Sequence, residues 1–306
     1  MLLKETKKIW MNGKFVDWKD AKIHVLSHGL HYGSGVFEGL RCYKTKRGSA
    51  IFRLNDHIER LENSAKIYLM KIPYSKEELC NAIKDLISVN GLAECYIRII
   101  AYYGYGTMDI IPRNCPVDVA IASLEGEYFK KENFENGIRV KISSFYRIPQ
   151  NSLPMNAKAT GQYINSILCR SEAINLGYDE AIILDSNGFI SEASGENIFL
   201  IKDKKIYTPP VSASILPGIT RDSIIKIAND LGYDVSEQNI TRGFLYSCDE
   251  AFLSGTAAEI IPIREADFIK IGKGIVGNIT REIQKEYLNI VHGENKRYED
   301  WLSYID

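Results

Sequence analysis

Hydrophobic and polar positions along this chain alternate with a period of two in some stretches and recur every three to four residues in others. Alternation over Cys95–Tyr103 predicts a strand with Ile97 and Ile99 on one face and Tyr96 and Arg98 on the other. Further strands are expected at Lys8–Phe15, Ser49–Arg53, Val117–Leu124, Ile138–Ser143, Glu180–Asp185, Phe189–Glu192, Asn197–Ile201, Lys205–Thr208, Glu250–Ser254 and Glu259–Pro262. The turn Ser186-Asn187-Gly188 marks a hairpin, and Gly33-Ser34-Gly35 reads as part of a glycine-rich turn. Helical spacing of Ile58, Leu61, Ala65 and Leu69 predicts a helix over Asp56–Met70. Others are expected at Lys76–Asn90, after Lys158 as far as Gly177, at Thr220–Leu231 and at Gly277–Tyr287. In the fourth of these Thr220 reads as the N-cap, Ile224, Ile227, Ala228 and Leu231 form the stripe, and Gly232 ends it. The polar stretch 125–135 has no regular period and reads as an interdomain loop. The expected organisation is an N-terminal α/β domain over 1–124, that loop, and a C-terminal domain over 136–306. Strands and helices are mixed and hairpins outnumber β-α-β units, so the class is α/β (α+β-like) with mixed, largely antiparallel sheets.

Composition narrows the function. The 306 residues are 45% hydrophobic and 25% charged with a net charge of −1, ordinary values for a globular enzyme. No broad basic field invites nucleic acid or an anionic membrane surface, and no apolar run nears the roughly 20 residues that span a bilayer. The segment Met1–Lys8 lacks a signal peptide's apolar core. Six cysteines are dispersed without a C-x-x-C pair, as free thiols in a reducing cytoplasm would be.

The candidate chemistry centres on Lys158, set between Ala157 and Ala159 with Gly161 and Tyr163 close behind. An amine buried among small residues loses solvation of its charged form, so its pKa falls and it can act as a nucleophile. A Schiff-base cofactor such as pyridoxal 5′-phosphate (PLP) also needs an acid facing its pyridine nitrogen and an anion site for its phosphate. Glu192, in the run Ser191–Asn197, is the candidate acid, and Tyr163 can hydrogen-bond the phenolic oxygen. The start of the helix at Gly218-Ile219-Thr220 is the candidate phosphate site, since free amides and the helix dipole favour an anion there. Arg60, on the helix beginning near Asn55, has the fork geometry a phosphate prefers. Arg98 in its apolar strand needs an anion or a structural carboxylate, and the sequence leaves both open. His24, His28 and His31 have zinc-like spacing, but Gly29, Gly33 and Gly35 argue against a helix that would align them, so no metal site is expected. Glu38 stands where a dinucleotide loop would need its third glycine, which argues against a Rossmann dehydrogenase.

Seven stretches in order carry a family resemblance: Ser27–Arg41, Asp56–Leu61, Ala93–Arg98, Ala157–Ala159, Ser191–Asn197, Leu216–Arg221 and Ser254–Glu259. The chain resembles the class IV, fold-type IV PLP aminotransferases from end to end, nearest to the branched-chain amino acid aminotransferases. The resemblance implies that Lys158 forms the Schiff base and shuttles the proton between the substrate α-carbon and cofactor C4′. It puts Glu192 at the pyridine nitrogen and Tyr163 at the ring oxygen, with Leu216 under the ring and Asn197 and Gly218 in the cofactor set. Arg60, Ile219, Thr220 and Thr256 would hold the phosphate. For the substrate it implies the turn Gly255–Ala258, with Thr256 and Ala257, together with Tyr32, Tyr96 and Arg98 around the α-carboxylate. Phe37 and Gly39 would help wall the side-chain pocket, and Tyr32, Arg98, Phe37 and Tyr128 would let it hold an aliphatic side chain and, alternately, a carboxylate. Met108 and Ile110 would reach a neighbouring subunit, which implies a homodimer and leaves open a trimer of dimers, a hexamer.

The implied reaction is transamination of leucine, isoleucine or valine with 2-oxoglutarate. A D-amino acid or broader amine aminotransferase and an aminodeoxychorismate lyase are the alternatives on the same fold. One position departs from the family: Glu125 stands where branched-chain enzymes commonly carry a Trp ahead of Gly-x-Tyr. Such a carboxylate would either soften an apolar wall or point to solvent.

Overall fold

The computed structural model describes residues 4–126 and 129–305. Two compact units form: Met1–Glu127 with Ala157–Gly161 and Asn289–Asp306, and Tyr128–Asn156 with Gln162–Leu288. The Lys158 segment is thus part of the first unit.

In the first unit the chain runs β1 (Lys8–Met11), β2 (Lys14–Asp17), α1 (His28–Tyr32), β3 (Gly35–Thr45), β4 (Gly48–Phe52), α2 (Leu54–Ile67), α3 (Lys76–Asn90), β5 (Cys95–Tyr103) and β6 (Val117–Leu124). These strands and a late one, Leu302–Tyr304, make a seven-stranded sheet whose pairs are all antiparallel. β5, β6 and α3 fall where their periodicity places them. Asn12 and Gly13, with φ of 48° and 84°, fold the expected single strand Lys8–Phe15 into a hairpin. β3 is an eleven-residue strand that begins within the expected glycine-rich turn and runs through a stretch to which the periodicity assigned no element. It is buried on both faces, so no polar alternation betrays it in the sequence. A short helix, α1, does form at the histidines and ends on Gly33 at φ 64°.

α2 stops before the expected Met70. Leu69 turns left-handed at φ 54°, Leu69 N–H reaches Lys66 O, and Met70 N–H reaches Ala65 O, a Schellman closure. Met70 takes the inward place predicted for Leu69, which is 89% exposed. Leu54, Ile58, Leu61 and Ala65 pack with Val36, Leu40, Ile97, Ile99 and Ile121 in this unit's core.

The second unit contains α4 (Lys131–Asn136), β7 (Ile138–Tyr146), α5 (Tyr163–Asn175), β8 (Glu180–Leu184), β9 (Ile190–Ala193), β10 (Asn197–Lys202), β11 (Lys205–Thr208), α6 (Ile219–Asp230), β12 (Val235–Glu237), α7 (Arg242–Ser247), β13 (Glu250–Gly255), β14 (Glu259–Ala266) and β15 (Ile269–Lys270). A last helix, α8 (Asn278–Val291), begins here. The nine-stranded sheet is mixed: β7 lies parallel to β8 and β14, β11 lies parallel to β12, and the other pairs are antiparallel. α4 occupies part of the stretch read as loop, where a helix of six residues leaves too short a period to see. α6 starts at Ile219 with Gly218 as its N-cap, so Thr220 lies in the first turn rather than capping it. Ile182, Ile198, Leu200, Leu253 and Ile261 centre this unit's core.

Candidate active site

In the first unit the pairing of β3 with β5 sets Gly39 opposite Arg98 and Phe37 opposite Ile100, so Phe37, Gly39, Tyr96 and Arg98 share one face. A Cβ on Gly39 would overlap the Tyr96 hydroxyl, so glycine is what lets that ring lie across the strand. Arg98 Nη2 donates to Tyr96 Oη at 2.9 Å, which leaves the phenol proton for an acceptor beyond. Arg98 itself is exposed, so the desolvation expected from its apolar strand does not arise. The face it occupies is the half-open one, while Ile97 and Ile99 fill the core.

Lys158 lies against β3 as a short extra pairing. Phe37 N–H donates to Lys158 O at 3.0 Å, and Val36 bridges Ala159. Ala157 and Ala159 are buried, whereas Lys158 is only half-buried, because the alanines turn inward and the lysine turns to the other side. The fully buried amine expected from its small neighbours is therefore not found. Lys158 Nζ stands 5.1 Å from the Phe37 ring centroid and Arg98 Cζ 4.7 Å from the same ring, so both basic side chains contact one aromatic ring. Ser64, which sequence reasoning missed, accepts from Lys158 N–H at 3.0 Å and donates to Arg60 O at 2.8 Å. One hydroxyl on α2 thus ties the lysine backbone to the turn that carries Arg60.

Arg60 meets Glu38 side-on, Nε to Oε1 at 2.6 Å and Nη2 to Oε2 at 2.9 Å, and His57 Nδ1–H donates to Glu38 Oε2 at 2.8 Å. Burial works to raise the Glu38 pKa, but Arg60 and His57 hold its carboxyl well below the usual carboxylate range. Burial pushes the His57 pKa down against the pull of Glu38. Tyr32 is exposed and donates to Met108 O at 2.9 Å, in the segment that also bears the exposed Ile110. His28 Nε2–H donates to Asp109 O at 3.0 Å in that same segment, and its Nδ1 accepts from Ser34 at 2.7 Å. Glu125 faces Lys4 at 3.6 Å, the lysine largely exposed and the glutamate partly so. Tyr128 lies outside the described residues.

In the second unit Glu192 sits on β9, buried, with an ion pair at one oxygen and N–H donors at the other. Oε1 meets Arg147 Nη2 at 2.6 Å; Oε2 accepts from Leu216 N–H at 3.0 Å and Asn197 Nδ2 at 3.2 Å. Arg147, another residue the sequence did not mark, is braced by the Ser166 hydroxyl at 3.0 Å. Its cation and the two N–H donors favour the ionised carboxylate. Glu196, four residues on, is treated oppositely: burial, then the neighbouring Glu180, push it up to about 8. Of the two acids in the run, Glu192 is therefore the one built to carry charge. Asn197 also donates to Leu216 O at 2.9 Å, and a Cβ on Gly218 would overlap the Asn197 side-chain oxygen. Leu216, Gly218, Ile219 and Thr220 follow one another into α6, whose first-turn amides have no helical acceptor. Thr220 is buried, Tyr163 opens α5 half-buried, and Thr256 and Ala257 lie half-buried in the turn from β13 to β14. Among the described residues no group of histidine, cysteine, aspartate and glutamate side chains is placed to hold a metal.

The sequence model of the family "Amino-transferase class IV" matches residues 35–266. The chain is 46% identical, over the full length of both, to the branched-chain-amino-acid aminotransferase of Escherichia coli strain K12. It is also similar to a crystal structure of the Escherichia coli branched-chain amino acid aminotransferase, with a TM-score of 0.97, 45% identity and coverage of 99% and 100% of the two chains. Against the branched-chain amino acid aminotransferase from Thermobaculum terrenum in its PLP form the TM-score is 0.93 at 33% identity, covering 99% of each chain. The chain belongs to the class IV amino-transferases.

Proposed function

We propose that this chain catalyses PLP-dependent transamination of branched-chain L-amino acids (leucine, isoleucine and valine) with 2-oxoglutarate, giving branched-chain 2-oxo acids and L-glutamate. The observation that carries the reading is Glu192, a buried carboxylate paired with Arg147 and facing two N–H donors. That is the partner a protonated pyridine nitrogen needs. The α6 N-terminus, stripped of a Cβ at Gly218, suits a phosphate, and Thr256 and Ala257 stand in a turn whose amides suit a carboxylate. The residues fit the cofactor.

When bound, PLP supplies an electron sink for the substrate α-carbon. Lys158 Nζ would hold the cofactor and would serve as the base that carries the substrate α-proton. Glu192 keeps the proton on the pyridine nitrogen, Tyr163 hydrogen-bonds the ring oxygen, and Leu216 supports the ring. Asn197 fixes Glu192 against the Leu216 segment. Arg60, Ile219, Thr220 and Thr256 hold the phosphate. Tyr32, Tyr96, Arg98 and Ala257 orient the substrate carboxylate, with Phe37, Gly39 and Tyr128 beside its side chain and Met108 and Ile110 serving a neighbouring subunit. The names of the full-length relatives favour branched-chain substrates over the D-amino acid and lyase alternatives.

A homodimer is the smallest working unit of this reading. In its support, the first unit exposes Val25, Leu30, Ile110 and Ile111, and the second exposes Tyr146, Ile164 and Ile167. Six cysteines without a disulfide fit a cytoplasmic protein. A coupled assay with L-leucine and 2-oxoglutarate tests the function. Glutamate should form with L-leucine and not with D-leucine; pyruvate release from aminodeoxychorismate instead would replace this reading with the lyase.

A further inference from the structure

Glu38 is absent from every role assigned above, yet it is the most completely enclosed charged group of the first unit, at 0% exposure. Its neighbours on β3, Phe37 and Gly39, face the opposite way, toward Tyr96 and Arg98. Glu38 instead points at α2, where it meets Arg60 and His57. Two of the three guanidinium nitrogens of Arg60 are held by one carboxylate in the side-on geometry, and His57 braces the second oxygen. The arginine side chain is long, and immobilising it costs rotamer freedom. An anion that had to order it would bind correspondingly more weakly.

We propose that Glu38 is the positioning residue of Arg60: its carboxylate fixes the guanidinium plane so that the arginine meets the cofactor phosphate already oriented. This rests on the reading above, in which Arg60 serves the phosphate. Burying a full negative charge beside the arginine has a cost that makes the role testable. With His57 neutral, the Glu38–Arg60 pair carries no net charge, so its value to a phosphate lies in orientation rather than in field. Removing the Glu38 charge strengthens the positive field while releasing the guanidinium. Orientation and field therefore predict opposite signs for the same substitution.

The measurement is the affinity of the full-length protein, freed of cofactor, for PLP and for pyridoxal, which lacks the phosphate. In Glu38→Gln, PLP should bind about tenfold more weakly, equivalent to about 1.4 kcal/mol. Pyridoxal should bind as in wild type, so the PLP-to-pyridoxal ratio falls. A loss of fold or of general stability would weaken both ligands together. Glu38→Asp, which keeps the charge but is too short to span both nitrogens, should lower the ratio as well and serves if the glutamine variant does not fold. In Arg60→Met the ratio should collapse, and adding Glu38→Gln to it should change little, because the carboxylate acts through the arginine. A wild-type or increased ratio in the Glu38 variants, with the ratio collapsed in Arg60→Met, overturns the proposal while leaving the reading of Arg60 intact. An unchanged ratio in Arg60→Met removes the phosphate role itself, and the proposal with it.

Discussion

The two units bury acidic groups in opposite ways. In the first, Glu38 is surrounded by an arginine and a histidine and stays ionised. In the second, Glu196 lies beside Glu180 and is pushed up to about 8, while Glu192 in the same run is paired with Arg147. Burial alone raises a carboxyl pKa everywhere; what differs is the partner. A buried carboxylate with a cation can serve as a fixed charge or a fixed clamp, and one beside another carboxylate is a neutral packing group near neutral pH.

Removing the charge of Glu192 should cut deepest. Glu192→Gln keeps the shape and the Leu216 contact but leaves Arg147 without its carboxylate. We expect kcat with L-leucine to fall on the order of a hundredfold or more, read by the coupled assay. An equal fall in Glu196→Gln would erase the distinction between the two acids.

Two of the close-approach glycines, Gly218 and Gly39, separate the units by kinetic signature. Gly218→Ala should push Asn197 from Glu192, weaken PLP binding and lower stability by about 1–3 kcal/mol, the usual range for overpacking. Gly39→Ala should displace the Tyr96 hydroxyl, raising KM for the amino acid while PLP affinity holds. Equilibrium titration of PLP and steady-state kinetics on both variants distinguish them; identical profiles would contradict the assignment.

Stability should follow pH with opposite slopes from the two regions. Glu196 ionises near its ordinary 4.5 in the unfolded chain and near 8 in the folded one. Between those values the folded chain holds the extra proton, so its contribution falls as pH rises and levels off above about 8. Glu38 is lowered on folding, so its contribution is present above about 4.5 and is lost as pH falls below that. His57, lowered from 6.5, likewise costs stability as pH drops below its unfolded value. In thermal scans from pH 3 to 9, Glu196→Gln should flatten the decline between about 4.5 and 8 and leave the loss below about 4.5 unchanged.

Glu125→Trp should have the smallest effect. Lys4 is largely exposed and Glu125 partly so, and such pairs contribute about 0–1 kcal/mol. Relative rates with leucine, isoleucine, valine and a panel of primary amines should stay nearly unchanged.

Much of this architecture was legible residue by residue, and the exceptions have physical causes. β5 and β6 show because one face of each is buried and the other is not; β3 hides because both of its faces are buried. Asn12-Gly13 carried a hairpin signal in plain sight. Lys158, Glu192 and the approach to α6 stand out because each brings its small or acidic neighbours along the chain. Arg147, Ser64 and Glu38 do not, since their partners lie 45, 94 and 22 positions away and only packing brings them together. The expected burial of Lys158 failed for a local reason: alternation sends Ala157 and Ala159 inward and the lysine outward.

Borohydride reduction of the holoprotein followed by peptide mapping is the most direct examination of the chemistry. A phosphopyridoxyl group on Lys158, with no labelling in Lys158→Ala, is the expected result. Its attachment to any other lysine would contradict the account.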